Sequence, residues 1–314
     1  MNLVTAFLRL IRWPNLVFIV LTQVMFEYCI IQPIFQQAGV QNNIHGIYFL
    51  LLAFSYVLIA AGGYIINDYF DLNIDQINKP DKLVVGAIIS RRWVIIWHLL
   101  LSAVAVIIGF YIDFSTNAYF VGVINLFCVI LLFFYSVSLK KKFLIGNLLV
   151  SFITAWSITV LLWCENNHLL TSSVNHSYLD GEKLLRLTFL YSGFAFIISV
   201  IREVIKDMED IDGDRRYGCK TMPIVWGLNA TKIFVAVWLV VLIGALIVLQ
   251  FYVLHFRWWT SMVYYVLFII IPLIWVFKKL FSAINTKDFH QLSSAVKMIM
   301  MAGILSMLLF KFSI

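Results

Sequence analysis

Residues 47–75 read IYFLLLAFSYVLIAAGGYIINDYFDLNID. The first part, 47–66, carries no charged side chain. At about 1.5 Å per residue a helix of that length crosses the ~30 Å hydrocarbon core of a bilayer. The second part turns abruptly polar and spaces Asp68, Asp71 and Asp75 at i, i+3 and i+7, which a continuing helix presents on one face. One stretch thus joins a membrane span to a carboxylate-bearing helix end.

The rest of the chain repeats the first half of that pattern. Of 314 residues, 62% are hydrophobic and only 12% charged, and the mean hydropathy is +0.94. Such a balance excludes an ordinary soluble domain, a disordered chain and a fibrous one. Apolar runs place spans near 13–35, 47–66, 93–112, 117–137, 143–163, 184–203, 230–254, 258–277 and 291–311. The expected fold is all-α, an integral membrane bundle of nine transmembrane helices, with residues 1–314 forming a single domain. Arg9 and Arg12 precede the first run, which continues to about Phe35 without a small-residue cleavage site and so reads as a helix, not a signal peptide. Putting the N-terminus in the cytoplasm gathers 19 of the 23 Lys and Arg on the inner side, leaving Lys183, Arg186, Arg257 and Lys311 outside. The net charge of +7 is therefore assigned to orientation in the membrane, with no nucleic acid partner. Cys29, Cys128, Cys164 and Cys219 follow no metal or disulfide spacing and read as packing residues. The histidines are too dispersed for a metal site, and no nucleotide-binding glycine motif occurs.

Ten of the 16 acidic residues fall in two windows, both at inner helix ends. The second window repeats the first, with Asp207, Asp210 and Asp214 again at i, i+3 and i+7 and Glu203 one turn earlier. Like charges at this spacing destabilise a helix, and its C-terminal end is the wrong end of the dipole for carboxylates, so a cation must compensate. Magnesium is held by a few carboxylates together with substrate phosphates and waters. Two acidic faces therefore suggest a magnesium-bridged diphosphate between them; the bland alternative is a solvated acidic loop balanced by nearby lysines. Similar segments follow both windows, Lys79-Pro80-Asp81-Lys82-Leu83-Val84-Val85-Gly86 and Lys220-Thr221-Met222-Pro223-Ile224-Val225-Trp226-Gly227, a pointer to two related half-sites.

These residues resemble the UbiA superfamily of intramembrane polyprenyl transferases. Asn67-Asp68-x-x-Asp71-x-x-x-Asp75 matches that family's first Asp motif, and Asp207-x-x-Asp210-x-x-x-Asp214 its second. Tyr135-Ser136-Val137-Ser138-Leu139-Lys140 with Gly146-Asn147 resembles the segment after the family's fourth helix, and Arg12-Trp13-Pro14-Asn15 its start. The pattern departs at Asn78-Lys79-Pro80-Asp81-Lys82-Leu83, where lysines stand for the family's arginines and bidentate phosphate contacts are lost. The stretch 202–223 looks most like the branch that makes digeranylgeranylglyceryl phosphate.

The resemblance implies transfer of a prenyl group from a polyprenyl diphosphate to a lipophilic acceptor, geranylgeranylglyceryl phosphate first and an aromatic quinone precursor such as 4-hydroxybenzoate second. Mg2+ would be held by Asp68, Asp71 and Asp75 on one wall and Asp207, Asp210 and Asp214 on the other. Asn67, Lys82, Lys140, Arg202 and Lys206 are candidate substrate contacts, the four basic residues serving alternatively as inner-side anchors. Tyr135 either faces the reacting carbon or belongs to the interface belt, and Asn15 either binds substrate or satisfies a neighbouring helix. Glu27 is a lone acid inside the first span, read as an interior hydrogen bond or a protonated packing residue. The expected setting is the inner (cytoplasmic) membrane with the site facing the cytoplasm, membrane lipids around it and no obligate protein partner. A cation-coupled transporter is the rival class, but transport sites favour the bilayer midplane, whereas the motif aspartates follow the ends of apolar runs.

Overall fold

The computed structural model describes residues 3–78, 83–116, 118–166, 180–255 and 258–311. Its elements are helices, with no strand among the described residues beyond an isolated bridge, Val85 to Ile89. A short α1 (Leu3–Leu10) leads into α2 (Trp13–Gln37), α3 (Ile47–Asn78), α4 (Arg91–Ser115), α5 (Val121–Val137) and α6 (Ile145–Cys164). Then follow α7 (Gly181–Glu209), the short α8 (Ile211–Arg216) and α9 (Met222–Val225), α10 (Gly227–His255), α11 (Trp259–Ser282) and α12 (Thr286–Lys311).

Eight of these, α2, α3, α4, α6, α7, α10, α11 and α12, are long and apolar enough to cross a membrane. At the position of the remaining expected span, α5 is equally apolar but has 17 residues, about 25 Å of helix. Both α2 and α11 contain one π-helical turn, at Glu27–Ile31 and Val266–Ile270, with a proline close behind each. Large apolar side chains line the outer faces; Ile107 of α4 is 64% exposed and Val248 of α10 69%. In water such a surface would drive aggregation; in lipid it is the solvated state, so this is a multi-pass membrane protein.

Of four buried apolar clusters among the described residues, two are large. One is built by α7, α10, α11 and α12 around Val204, Leu239, Leu273 and Leu292, the other by α2, α3, α6 and α7 around Phe26, Leu52, Val160 and Leu184. Helix α7 contributes to both and is the pivot of the bundle. The four cysteines are buried and form no disulfide, and Cys29, Cys128 and Cys164 lie in apolar clusters as packing residues. Glu27 also takes the interior role expected of it, accepting a hydrogen bond from Asn42 Nδ2 at 2.7 Å. Near it, Glu165 accepts from the backbone N–H groups of Asn43 and Ile44 at 2.9 and 3.1 Å, tying the α2–α3 connection to the end of α6.

Candidate active site

Helix α3 continues without a break through its Asp motif. At ~100° per residue, Asn67, Asp71 and Asp75 form one row, and Asp68 sits about 60° round from Asp71. The structure divides them accordingly. Asn67, Asp71 and Asp75 line a polar chamber of about 120 Å3, whereas Asp68 lines a neighbouring cavity that Asp75 also reaches. The three aspartates therefore do not share one chamber, as the simple spacing suggests.

The second motif differs more from its sequence reading. Helix α7 ends at Glu209, and Asp210 has left the helical region at φ −95°, ψ 10°. Asp214 then lies on the separate α8, so the spacing repeated in sequence is not one helical face. Asp207, Asp210 and Asp214 nevertheless all line the polar chamber, together with Glu203. Six carboxylates and four basic residues, Arg12, Lys140, Lys141 and Lys206, surround it, with Tyr135 and Cys219 completing its wall.

The α5–α6 connection spans both walls. Lys140 Nζ pairs with Asp71 Oδ1 at 2.6 Å and donates to Asn67 Oδ1 at 3.1 Å, and Asn67 Nδ2 donates to Asp71 Oδ2 at 2.7 Å. Six residues after Lys140 comes Gly146, then Asn147, whose Nδ2 donates to Asp207 Oδ2 at 2.8 Å. Lys220, beyond the second motif, donates its backbone N–H to the carbonyl of Lys141 at 2.8 Å. Burial lowers the pKa of the Lys140 ammonium, while Asp71 opposes the shift.

Gly146 makes this crossing possible. A Cβ there would stand 2.7 Å from the Lys140 Cα, a backbone atom that cannot swing aside. Gly146→Ala is expected to push Lys140 and Asn147 off their carboxylates, and small misplacements of positioning groups cost on the order of 10- to 100-fold in rate. Steady-state kinetics of prenyl transfer by the purified variant is the check; a kcat/KM within twofold of the parent removes this role.

Arg12 enters from the opposite side. It occupies the left-handed region at φ 50°, a strained conformation for a non-glycine residue that turns the chain between α1 and α2. Its guanidinium pairs with Asp68 at 2.7 Å and lies 5.0 Å over the Tyr64 ring. Burial works against the charge, but Asp68, Tyr64 and Asp75 outweigh it and raise the pKa, so Arg12 is a permanent cation here.

Below the chamber, a cavity of about 220 Å3 shares Arg12, Asn67, Tyr135, Glu203 and Lys206 with it and is otherwise largely apolar, walled by Ile59, Leu132, Val150 and Ile153. Tyr135 thus stands where polar meets apolar. Asn15 lines this cavity and accepts from Lys297 Nζ at 2.8 Å, the interhelical alternative for that residue. Arg202 pairs with the adjacent Glu203 at 2.7 Å, and its buried Nε has no hydrogen-bond partner. Lys82 lies outside the described residues.

On the far side of the Arg12–Asp68 pair lies a third cavity, of about 430 Å3, lined by Arg9, Arg12, Arg202, Lys206, His290 and Lys297 with Asp68, Asp75 and Glu209. Sequence reasoning leaves Asn147, Lys297 and Arg9 out of the site. Asn147 is neutral, with only its place after Gly146 to mark it, and the two cations read as membrane-orienting charges.

The UbiA prenyltransferase family matches residues 34–300, a range that contains both Asp motifs and leaves out Arg12 and Asn15. The digeranylgeranylglyceryl phosphate synthase of Methanosphaera stadtmanae is 30% identical over 262 residues, 82% of this chain and 86% of that protein. The enzyme of the same name from Methanothermobacter thermautotrophicus is 34% identical over 188 residues, 60% of this chain and 59% of its relative. Among solved structures, an apo UbiA homolog from Aeropyrum pernix K1 is 16% identical, with a TM-score of 0.59 over 97% of this chain and 98% of that one. A digeranylgeranylglyceryl phosphate synthase studied in membranes is 20% identical, with a TM-score of 0.58 over 98% and 99%. These two share the fold. With 267 of its residues inside the family match, the chain belongs to the UbiA prenyltransferase family and is a membrane-embedded prenyltransferase.

Proposed function

We propose that the chain joins a prenyl group from a polyprenyl diphosphate to geranylgeranylglyceryl phosphate, a step of ether lipid synthesis, at the cytoplasmic face of the cell membrane. The observation that carries this reading is the stacking of a carboxylate-lined chamber directly on an apolar cavity, with Tyr135 at the junction. A prenyl diphosphate has the same division, a polyanionic head on a hydrocarbon tail. The asymmetry of Lys and Arg along the sequence supports the cytoplasmic side.

The donor set fits Mg2+. It consists of carboxylate oxygens lining the chamber, the ligand type of a hard ion that keeps waters and substrate phosphates in its shell. Asp71, Asp75, Asp207, Asp210 and Asp214 would hold it in the chamber, with Asp68 at the edge. An ion held there would supply positive charge to offset the negative charge on the departing diphosphate.

The protein's own groups do the rest. Lys140 and Lys206 offer charged N–H donors to diphosphate oxygens. As the bond from C1 to the diphosphate oxygen weakens, positive charge grows on the allylic carbon at the mouth of the apolar cavity, where the Tyr135 ring lies. The diphosphate leaves with the electron pair of that bond, the acceptor hydroxyl attacks C1, and the hydroxyl proton passes to a diphosphate oxygen as the ether bond forms. The third cavity favours a phosphate-bearing acceptor. It presents Arg9, Arg12, Arg202, Lys206 and Lys297, and Arg12 and Lys206 also line the chamber.

The test is a product assay with purified protein, Mg2+ and geranylgeranyl diphosphate, offering geranylgeranylglyceryl phosphate and 4-hydroxybenzoate in parallel and identifying products by mass. A digeranylgeranyl ether is the expected product. A prenylated aromatic acid alone would overturn the acceptor assignment and keep the reaction class.

A further inference from the structure

The apolar cavity does not end beside Tyr135. It shares Phe18, Ile19, Thr154, Ser157 and Met300 with a deeper apolar cavity of about 80 Å3. The far end of that deeper cavity is walled by Tyr191 of α7 and Met307 of α12, which are 8% and 1% exposed. Tyr191 is fixed from several sides. Its hydroxyl lies 3.3 Å from Ser306 Oγ and 3.5 Å from Tyr265 OH, those two are 2.9 Å apart, and the Phe26 ring meets it edge-on at 6.3 Å. Beside it, Phe194 closes the gap between α7 and α12 by lying on Gly303, where a Cβ would stand 2.7 Å from its Cε1. Of the two end residues, Tyr191 is the one pinned by hydrogen bonds, so its ring yields less readily than the unbranched Met307 side chain beside it.

Helix α7 supplies a ruler. Glu203 lines the polar chamber and the upper apolar cavity, and Tyr191 lies twelve residues earlier on the same helix, an axial distance of about 18 Å. An extended chain advances about 1.2 Å per bond, so the sixteen main-chain carbons of four isoprene units span about 18 Å. On the same scale three units reach about 13 Å and five about 23 Å.

We infer that Tyr191, backed by Ser306, Tyr265 and Phe26, is the stop that sets the prenyl donor at four isoprene units. The inference rests on the prenyl-transfer reading above and adds the residue that selects the tail. A shorter tail leaves the deeper cavity unfilled and forgoes its burial; a longer one has to displace a fixed ring.

The experiment is a competition among equal concentrations of farnesyl, geranylgeranyl and geranylfarnesyl diphosphates, using the full-length protein in detergent and the same acceptor. The parent should prefer the geranylgeranyl donor. Tyr191→Ala should move the ratio of geranylfarnesyl to geranylgeranyl product upward by tenfold or more. Ala195 faces the same cavity one turn from Tyr191, and Ala195→Phe should move the preference tenfold or more toward the farnesyl donor. The opposite directions separate a stop from general damage, and Ala195→Phe decides the matter alone if Tyr191→Ala does not fold. Unchanged product ratios in the folded variants, or equal loss of farnesyl and geranylgeranyl transfer in Ala195→Phe, overturn the inference while leaving the reaction class intact. Absence of transfer from every donor by the parent protein removes the prenyl-transfer reading itself.

Discussion

Asp207→Ala and Asp71→Ala are each expected to lower kcat/KM for prenyl transfer by at least about 10²- to 10³-fold, the loss typical when a group stabilising developing charge is removed. The two aspartates stand on opposite walls of the chamber, and each is already held in place, Asp207 by Asn147 and Asp71 by Lys140 and Asn67. Substitution therefore removes charge from a prearranged position. Charge and orientation separate in Asp207→Asn, which preserves a side-chain oxygen for Asn147 but not the negative charge. If charge is what the site uses, Asp207→Asn is as inactive as Asp207→Ala. Membrane insertion and detergent-extracted yield should stay near parental, because neither side chain belongs to the two apolar cores. Product formation within tenfold of the parent by Asp207→Ala would remove the assignment of the second motif to the site.

Removing divalent metal is expected to have an effect at least as large. Six carboxylates against four basic residues leave the chamber with an excess of negative charge, and an incoming diphosphate adds to it. Without a compensating ion the donor is repelled from its own site. Treatment with a chelator should abolish turnover, and excess Mg2+ should restore it fully. Titrating Mg2+ into the apo protein while following protection of Cys219 from a thiol reagent gives a second readout, since that residue lines the chamber. Burial and then Asp214 push the Cys219 thiol up to about 11, so the labelling is run at elevated pH. Full activity in metal-free buffer would end the assignment.

Much of this was legible in the sequence because the membrane simplifies the grammar. Apolar runs have only one use at such length, and carboxylates at their ends stand out against a 12% charged background. The meeting of two Asp motifs followed from their placement on the same side. What stayed illegible depended on exact rotation and on local breaks. Asp68 and Asp71 are both part of the first motif, yet a ~60° difference around α3 sends them to different cavities. The break at Asp210 has no proline to announce it. Asn147 lacks a charge, and the reach of Lys297 to Asn15 crosses 282 residues of sequence, a pairing that periodicity cannot supply.

The break at Asp210 also makes the two walls mechanically unlike. Asp71 and Asp75 ride on an unbroken helix that is packed along α4 and α5, so the distance between them is as stiff as the helix itself. Asp207 and Asp214 ride on different helices that meet at a single non-helical residue. Their relative placement is set by how α8 packs against α3 and by the bond from the Lys220 N–H to the Lys141 carbonyl. The geometry of one wall is local to its own helix; that of the other is borrowed from its neighbours.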